Sequence, residues 1–235
     1  MIPLKDNVPT QHFPFVTVGL IVVNVLVFFL YQAADTLVTT AQRPVNELAF
    51  HPCEVNDSCR VVGEDWPVTV FTSMFMHGDI LHLGGNMLFL WIFGNNVEDA
   101  MGHVRYLIFY LLAGIAATAL QTIVTLETAT PLAAQIPNLG ASGAISGVLG
   151  AYFLILPHAS ILTAIFLGII FFLREIPAFF FLGIYFLFQA WQANFQFQNP
   201  PEGGGVAVFA HLGGILFGLL VVKLFQQRQP LDPRY

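Results

Sequence analysis

The chain has 235 residues, of which 56% are hydrophobic and 9% are charged, and its formal net charge at pH 7 is −6. Soluble domains carry about 25% charged residues, so this composition excludes a water-soluble globular protein and indicates an integral membrane protein. A nucleic-acid-binding protein is also excluded, because the sequence has no basic patch that could follow a phosphate backbone.

Apolar runs of near-bilayer length predict membrane-spanning helices, because lipid offers no hydrogen-bond partners to an unpaired backbone. The polar segment 1–14 precedes the first run, which lacks a small-residue cleavage site and is expected to stay in the membrane. A mixed, acidic segment, 34–79, follows that run. The five clearest runs, in chain order, are 15–33, 80–97, 104–126, 141–156 and 206–225.

The region before the last of these runs has two interpretations. Two apolar runs, 159–173 and 178–191, are separated by Arg174 and Glu175. If both cross the membrane, the chain has seven spanning helices; if the first is an interfacial or re-entrant piece, it has six. Six spans collect most basic residues on one side, together with both termini, and the positive-inside rule favours this arrangement. That side would hold Lys5, Arg105, Arg174, Lys223, Arg228 and Arg234, and the other side Arg43 and Arg60.

The predicted fold is therefore an all-α polytopic protein of the cell membrane, with six transmembrane helices within 15–225. Residues 1–14 and 226–235 would be cytoplasmic segments. The segment 34–79 would be an extracytoplasmic loop.

This topology brings three polar side chains to a similar depth. The second, fourth and sixth helices enter from the outer face, so His82, Ser142 and His211 would lie near their extracytoplasmic ends. The fourth helix has about 15 residues and is roughly 22 Å long, less than the ~30 Å hydrocarbon core. It must begin below the outer surface, and the preceding loop, 128–140, would dip inward and leave a wet cavity over Ser142.

Ser142 itself has two interpretations. It lies between Gly140 and Gly143 in the first turn of the fourth helix, where its backbone N–H has no acceptor within the helix. A free N–H beside a hydroxyl suits a nucleophile whose oxyanion needs a donor. However, Gly143 and Gly147 belong to a ridge of small residues that is typical of close helix packing, and Ser146 is interpreted as part of that ridge.

His211 is the candidate general base. An imidazole in a membrane helix is energetically costly and therefore suggests a functional site. The alternative is a neutral histidine that forms a hydrogen bond with a neighbouring helix. Gly214 and Gly218 form a GxxxG step on the same helix and permit close approach to the fourth helix. That approach would bring the imidazole within about 3 Å of the Ser142 hydroxyl, as a serine nucleophile requires.

His82 and Asn86 lie at positions i and i+4, on one face of the second helix. Both side chains can donate hydrogen bonds to an oxyanion. The alternative interpretation is that they form polar contacts between helices and have no catalytic role. His77 and Asp79 suggest a metal site with His82, but the H-E-x-x-H motif is absent and no further cluster completes a coordination shell. We therefore expect no metal and no other cofactor.

Cys53 and Cys59 are the two cysteines, and both lie in the segment predicted to be extracytoplasmic. An oxidising compartment favours a disulfide that closes a small loop between them. Two free thiols are the alternative.

Three short motifs together resemble those of a known family. They are HLGGN (82–86), GASG (140–143) and AHLGG (210–214), in this order and on alternate helices. In combination they resemble the rhomboid family of intramembrane serine proteases, over roughly residues 66–225. The resemblance implies a rhomboid-like bundle with a short central fourth helix.

The resemblance also implies a role for each motif. Ser142 would be the nucleophile and His211 its base, without a third acidic residue. The backbone N–H of Ser142 and the side chains of His82 and Asn86 would hold the oxyanion. The fifth helix and the loop 194–206 would form a lateral gate and cap. The substrates would be single-pass transmembrane proteins, cleaved within the lipid bilayer near its outer face.

The sequence departs from the family's pattern at two positions. Many members carry a Trp-Arg pair in the first outer loop, where Trp66 is here followed by Pro67. Some members stack a tyrosine on the catalytic histidine from one turn below the serine. Ser146 occupies that position, so another group has to orient His211.

Two other functions compete with proteolysis. A catalytically inactive relative would bind or traffic membrane clients, but such relatives typically lose the serine or the histidine, and this chain has both. A small transporter or channel predicts polar residues throughout the membrane depth and often an inverted repeat. The polar groups here cluster towards one face and no repeat is evident, so an intramembrane serine endopeptidase is the favoured prediction.

Overall fold

Helices account for most of the chain described by the computed structural model, which is residues 1–32, 47–59, 61, 63–168, 170–200 and 205–228. In chain order they are α1 (Phe15–Leu26, continued by a π-helical stretch over Val27–Gln32), α2 (Trp66–Thr72), α3 (Ile80–Phe89, continued over Leu90–Gly94 and Asn95–Met101), α4 (His103–Thr128), α5 (Ser142–Ile155), α6 (Ala178–Gln198) and α7 (Val208–Phe225). Short 3-10 turns lie in the connections, at Pro52–Glu54, Ser73–Phe75 and Ala133–Gln135.

Among the described residues, three helices are long and apolar enough to cross a bilayer. The helix α5, with 14 residues, is a shorter apolar helix. These lengths and compositions identify a mostly helical membrane protein. The three candidate spans are Phe15–Gln32, His103–Thr128 and Val208–Phe225. The first and last residues of each span lie within two residues of the bounds predicted from the sequence.

Parts of the predicted connections lie outside the described residues. They are 34–46 of the predicted outer loop, 201–204 of the predicted cap and 229–235 of the predicted C-terminal segment. The basic residues Arg43, Arg60 and Arg234, which were assigned to the two sides of the membrane, therefore also lie outside the described residues.

The segment after α5 contradicts the expectation of an all-α fold. Ser160–Leu167 (β2) and Ile170–Pro177 (β3) form an antiparallel hairpin, and Ile2–Asp6 (β1) pairs with the other edge of β2. The apolar run 159–173 is rich in β-branched and aromatic residues, which favour extended backbone. Gly168, with a φ of 64°, supplies the turn. The run is therefore a strand, a turn and a second strand, and the interpretation with a seventh spanning helix is wrong.

The helix α5 lies at the centre of the bundle, and eleven of its 14 residues are buried. It packs closely against α7 because glycines face one another along the contact. A side chain at Gly214 would overlap the carbonyl group of Gly143, and a side chain at Gly218 would overlap that of Gly147. A Cβ atom at Gly150 would lie 2.6 Å from the carbonyl oxygen of Ile215. This backbone contact fixes the position of α7 relative to the first turn of α5.

A buried polar cluster ties β1 to the other end of α5. The carboxylate of Asp6 accepts hydrogen bonds from the Tyr152 hydroxyl at 2.7 Å and from the Asn96 side-chain amide at 2.6 Å. Tyr152 lies ten residues after Ser142, about 15 Å along the helix. Glu98, on α3, similarly accepts the backbone N–H groups of Val16 and Thr17 and so caps the first turn of α1.

Candidate active site

Ser142 is the first residue of α5, and the loop before it enters the helix through Gly140. Gly140 has a φ of 125°, a conformation that other residues rarely adopt, and its N–H donates to the carbonyl oxygen of Ser73 at 2.9 Å. Because Ser142 opens the helix, its backbone N–H has no acceptor within α5. A hydroxyl and an N–H donor are therefore available from one residue.

His211 lies in the first turn of α7 and is brought to Ser142 by the close packing of α5 and α7. Nε2 of His211 lies 2.9 Å from Oγ of Ser142, and the imidazole is 9% exposed. Gln121, on α4, accepts a hydrogen bond from the backbone N–H of Ala210 at 3.2 Å. The start of α7 is thus held between α4 and α5.

Gln189 contacts the other nitrogen of the same imidazole and was missed by the sequence analysis. Its Oε1 atom lies 3.0 Å from Nδ1 of His211, and the side chain is 5% exposed. Its position within the apolar helix α6 could have identified it, because a polar side chain in a membrane helix frequently indicates a functional site.

Ser146 lies one turn after Ser142 on α5 and is buried. It lines the same cavity as Tyr185, which lies on α6 one turn before Gln189.

His82 and Asn86 line the same cavity as Ser142 and His211. The His82 ring packs against Gly140, where a Cβ atom would lie 3.0 Å from Nε2 of His82 and 3.7 Å from Oγ of Ser142. The absence of a side chain at Gly140 therefore leaves room for the imidazole beside the serine. The side-chain amide nitrogen of Asn86 is buried and has no hydrogen-bond acceptor within the described part of the chain.

The cavity has a volume of about 900 Å³. Its walls come from α3, α4, α5, α6 and α7, and from the loop before α5, which contributes Ile136, Pro137, Asn138 and Leu139. The backbone of Asn138 pairs with that of Phe50 in both directions, at 2.7 and 3.2 Å, so the loop is anchored to the segment after α1. A volume of this size is typical of ligand-binding cavities in proteins.

His77 lies next to the cavity, between α2 and α3. Its ring packs edge-to-face on the His82 ring, with 5.1 Å between centroids, and its backbone N–H donates to Gln32 at 3.0 Å. Burial, and to a smaller extent the neighbouring His82, lower the pKa of His77 to about 4. Within the described ranges, no group of three or more His, Cys, Asp or Glu side chains is arranged to hold a metal ion.

Cys53 and Cys59 are joined by a disulfide, with their Cα atoms 5.4 Å apart. Cys53 is buried, and the adjacent Pro52 lines the cavity. The residue that precedes the cross-linked loop therefore forms part of the wall of the candidate site.

Comparisons with known proteins agree with the motifs. The Rhomboid domain family matches residues 64–228. Rhomboid protein 1, mitochondrial, of Saccharomyces cerevisiae is 32% identical over 153 residues, covering 65% of this chain and 40% of the relative. Presenilin-associated rhomboid-like protein, mitochondrial, of Homo sapiens is 27% identical over 225 residues, covering 91% of this chain and 50% of the relative. Rhomboid protease GluP of Bacillus subtilis is 35% identical over 138 residues, covering 59% of this chain and 24% of the relative.

The chain spans half or less of the length of these three relatives. The family match nevertheless covers most of this chain, including α2 to α7 and all three motifs. The chain belongs to the rhomboid family.

Proposed function

We propose that this chain is an intramembrane serine endopeptidase, with Ser142 as nucleophile and His211 as general base and acid. The observation that carries the proposal is the 2.9 Å separation between Nε2 of His211 and Oγ of Ser142, which lie on two different helices. A relative that is named a rhomboid protease supports the same activity.

The proposed reaction is an acyl transfer to Ser142 followed by hydrolysis. As Oγ attacks the carbonyl carbon of the substrate, Nε2 of His211 accepts the hydroxyl proton, which it then donates to the leaving amine. The acyl group remains on Ser142 as an ester. A water molecule that loses its proton to the same imidazole then hydrolyses this ester and restores the serine.

Three donors are proposed to stabilise the oxyanion that forms in each step. They are the backbone N–H of Ser142, the His82 imidazole and the side-chain amide of Asn86. The unpaired, buried amide nitrogen of Asn86 supports this role, because a buried donor without an acceptor is otherwise unfavourable. Donors that are already in place cost no reorganisation when charge develops on the substrate oxygen.

The proposed membrane arrangement has six transmembrane helices, α1 and α3 to α7, with α5 as the short central fourth. Both termini, including 1–14 and 226–235, would be cytoplasmic, and the segment 34–79 would lie on the outer side of the cell membrane. The sidedness of the basic residues supports this orientation. The site would then lie near the extracytoplasmic face.

The proposed substrates are single-pass transmembrane proteins that reach the cavity from the bilayer. We propose α6 and the loop 194–206 as the gate and cap. This proposal is supported by the exposure of the large apolar side chains along α6 and by the contribution of Gln196 and Val206 to the cavity wall.

The test is cleavage of a single-pass substrate by the purified chain in proteoliposomes. Ser142→Ala should abolish cleavage without changing thermal unfolding, and the matched control Ser160→Ala, in β2, should cleave like the wild type. A fluorophosphonate probe should label the wild type at Ser142 and should fail to label His211→Ala.

Two results would contradict the proposal. Cleavage by Ser142→Ala would exclude Ser142 as the nucleophile. A folded wild type that neither cleaves nor is labelled would favour the alternative function, a catalytically inactive rhomboid-like protein that binds or traffics membrane clients.

A further inference from the structure

We propose that Gln189 is a positioning residue for His211 and that it makes the catalytic base dependent on the position of α6. In this proposal the Gln189 side chain selects the tautomer of His211 and holds its ring towards Ser142. The base is competent only while the C-terminal half of α6 lies against α7. The inference rests on the proposed protease function and adds a control element to it.

The hydrogen-bond partners of the imidazole assign its tautomer. Oε1 of Gln189 can only accept a hydrogen bond, so its 3.0 Å contact places the proton on Nδ1 of His211. The neutral ring then has a lone pair on Nε2, which lies 2.9 Å from Oγ of Ser142. This is the tautomer that can accept the serine proton. The other tautomer would present an N–H to the hydroxyl and could not act as a base.

Ser146 occupies the position from which a tyrosine would stack on the imidazole. A serine has no ring with which to stack, so the orientation of His211 depends on its polar contacts. The contact to Nδ1 comes from Gln189, and therefore from α6.

The end of α6 is loosely packed. Tyr185 and Phe186 are partly buried against the core, but from Leu187 onwards the buried residues of this helix are Gln189 and Ala193. The large apolar side chains in this last stretch are exposed, and they are Leu187, Phe188, Trp191, Phe195 and Phe197. A displacement of α6 from Leu187 onwards would expose little additional apolar core, but it would remove the acceptor from Nδ1 of His211. Opening α6 therefore disengages the base.

The kinetic test compares Gln189→Leu, Gln189→Glu and Gln192→Leu with the wild type in proteoliposomes. Gln189→Leu should lower kcat by about 10- to 100-fold with little change in KM, as expected for loss of an orienting partner. The matched control Gln192→Leu changes the same chemistry three residues along α6, at a side chain that does not bond His211, and should keep the wild-type kcat. An unchanged kcat for Gln189→Leu would overturn the proposal.

Gln189→Glu provides the conservative rescue. A carboxylate still accepts from Nδ1, so this variant should retain most of the wild-type kcat. Because the negative charge favours the imidazolium form, the acidic limb of its pH–rate profile should move to higher pH. His82 is the titratable group that faces His211 from α3, so the same shift should persist in a His82→Gln background. A Gln189→Glu variant as inactive as Gln189→Leu would indicate a purely structural side chain and would overturn the proposal.

Nitrogen-15 NMR of labelled histidine gives a readout that does not depend on activity. The His211 signal, identified by its loss in His211→Gln, should report the Nδ1–H tautomer in the wild type and a mixture of tautomers in Gln189→Leu. Ala193→Leu, which enlarges a buried contact and moves α6 outward without altering Gln189, should give the same mixture. An Nε2–H tautomer in the wild type would overturn the assignment, and an unchanged spectrum for Ala193→Leu would overturn the dependence on α6.

Loss of the protease function and loss of the positioning role give different experimental results. If the wild type does not cleave, the proposed protease function fails, while the NMR experiment still decides whether Gln189 sets the tautomer. If the wild type cleaves and Gln189→Leu matches it in kcat and in tautomer, the function stands and the positioning role is excluded.

Discussion

His82 and Asn86 lie one helical turn apart on α3, and both side chains line the cavity that contains Ser142. The His82 backbone N–H donates a hydrogen bond to the Asp79 carboxylate at 2.8 Å, and this bond caps the first turn of α3. The Asn86 amide nitrogen, by contrast, is buried without an acceptor in the described residues. A helix that is capped at its start thus carries, one turn later, a donor without a partner in the described residues, on the cavity that Ser142 also lines.

Asn86→Ala should lower kcat by about 10²- to 10³-fold with little effect on KM, because an oxyanion donor acts in the transition state and not on the bound substrate. The measurement is steady-state cleavage of a single-pass substrate in proteoliposomes. Asn95→Ala, near the other end of the same helix, is the matched control and should cleave normally. An Asn86→Ala enzyme with the wild-type kcat would exclude the amide from the oxyanion site.

Asp6→Ala should lower the free energy of unfolding by about 2–3 kcal/mol, because it leaves two buried donors, on Tyr152 and Asn96, without their charged acceptor. The measurement is thermal unfolding in detergent. Tyr152→Phe should destabilise by less, and the double variant should lose less than the sum of the two. Glu127→Ala, an exposed carboxylate on α4, is the control. Additive losses would show that Asp6 and Tyr152 are not coupled.

The buried His77 should make the protein sensitive to mild acid. Its pKa is lowered by burial to about 4 in the folded state, against about 6.5 in an unfolded chain. Between these values the unfolded chain binds a proton that the folded protein does not, so stability falls as the pH falls, by at most about 1.4 kcal/mol per pH unit.

His77→Phe should therefore show a smaller drop in unfolding temperature between pH 7 and pH 5 than the wild type, while keeping the ring contact with His82. His158→Phe, which replaces an exposed histidine, should leave the drop unchanged. If His77→Phe loses as much stability in acid as the wild type, the acid sensitivity arises elsewhere.

The bond between Cys53 and Cys59 predicts that the unfolded, unreduced protein contains no free thiol. Thiol titration before and after reduction measures this directly, and should give zero and then two thiols per chain. Two thiols before reduction would show that the protein carries no such bond. The paired variant Cys53→Ala/Cys59→Ala should unfold at a lower temperature, because the cross-link restricts the unfolded chain.

The proximity of Ser142 and His211 could be predicted from the sequence because its determinants are local and topological. Each residue lies in the first turn of an apolar helix and is followed by small residues at regular spacing, which indicate that the two helices approach closely. The predicted topology, in which alternate helices enter from the same face, also places the two side chains at similar depth.

The β-hairpin could not be predicted in the same way. A run such as 159–173 has the length and hydropathy of a spanning segment, and these properties do not distinguish a helix from two strands around a turn. Its partner, β1, is separated from it by most of the chain and carries no signal of its own. The expectation of an all-α fold failed where the relevant contact is long-range.

Gln189 was missed for a different reason. The sequence indicated that another group must orient His211, but it did not indicate from which helix. A glutamine in α6 is as compatible with a contact to the adjacent helix as with a contact to the site, and only the rotation of α6 about its axis distinguishes the two.

The pairing of β1 with β2 also constrains how the protein is made. Ribosomal synthesis delivers Ile2–Asp6 well before its partner strand, which begins at Ser160, so β1 has no strand to pair with while α1 to α5 are being inserted. A chain that has not yet reached the hairpin would therefore present an open strand edge, a feature that invites aggregation. The sheet can close only after the hairpin has been synthesised, so the last contact of β1 is made after most of the bundle.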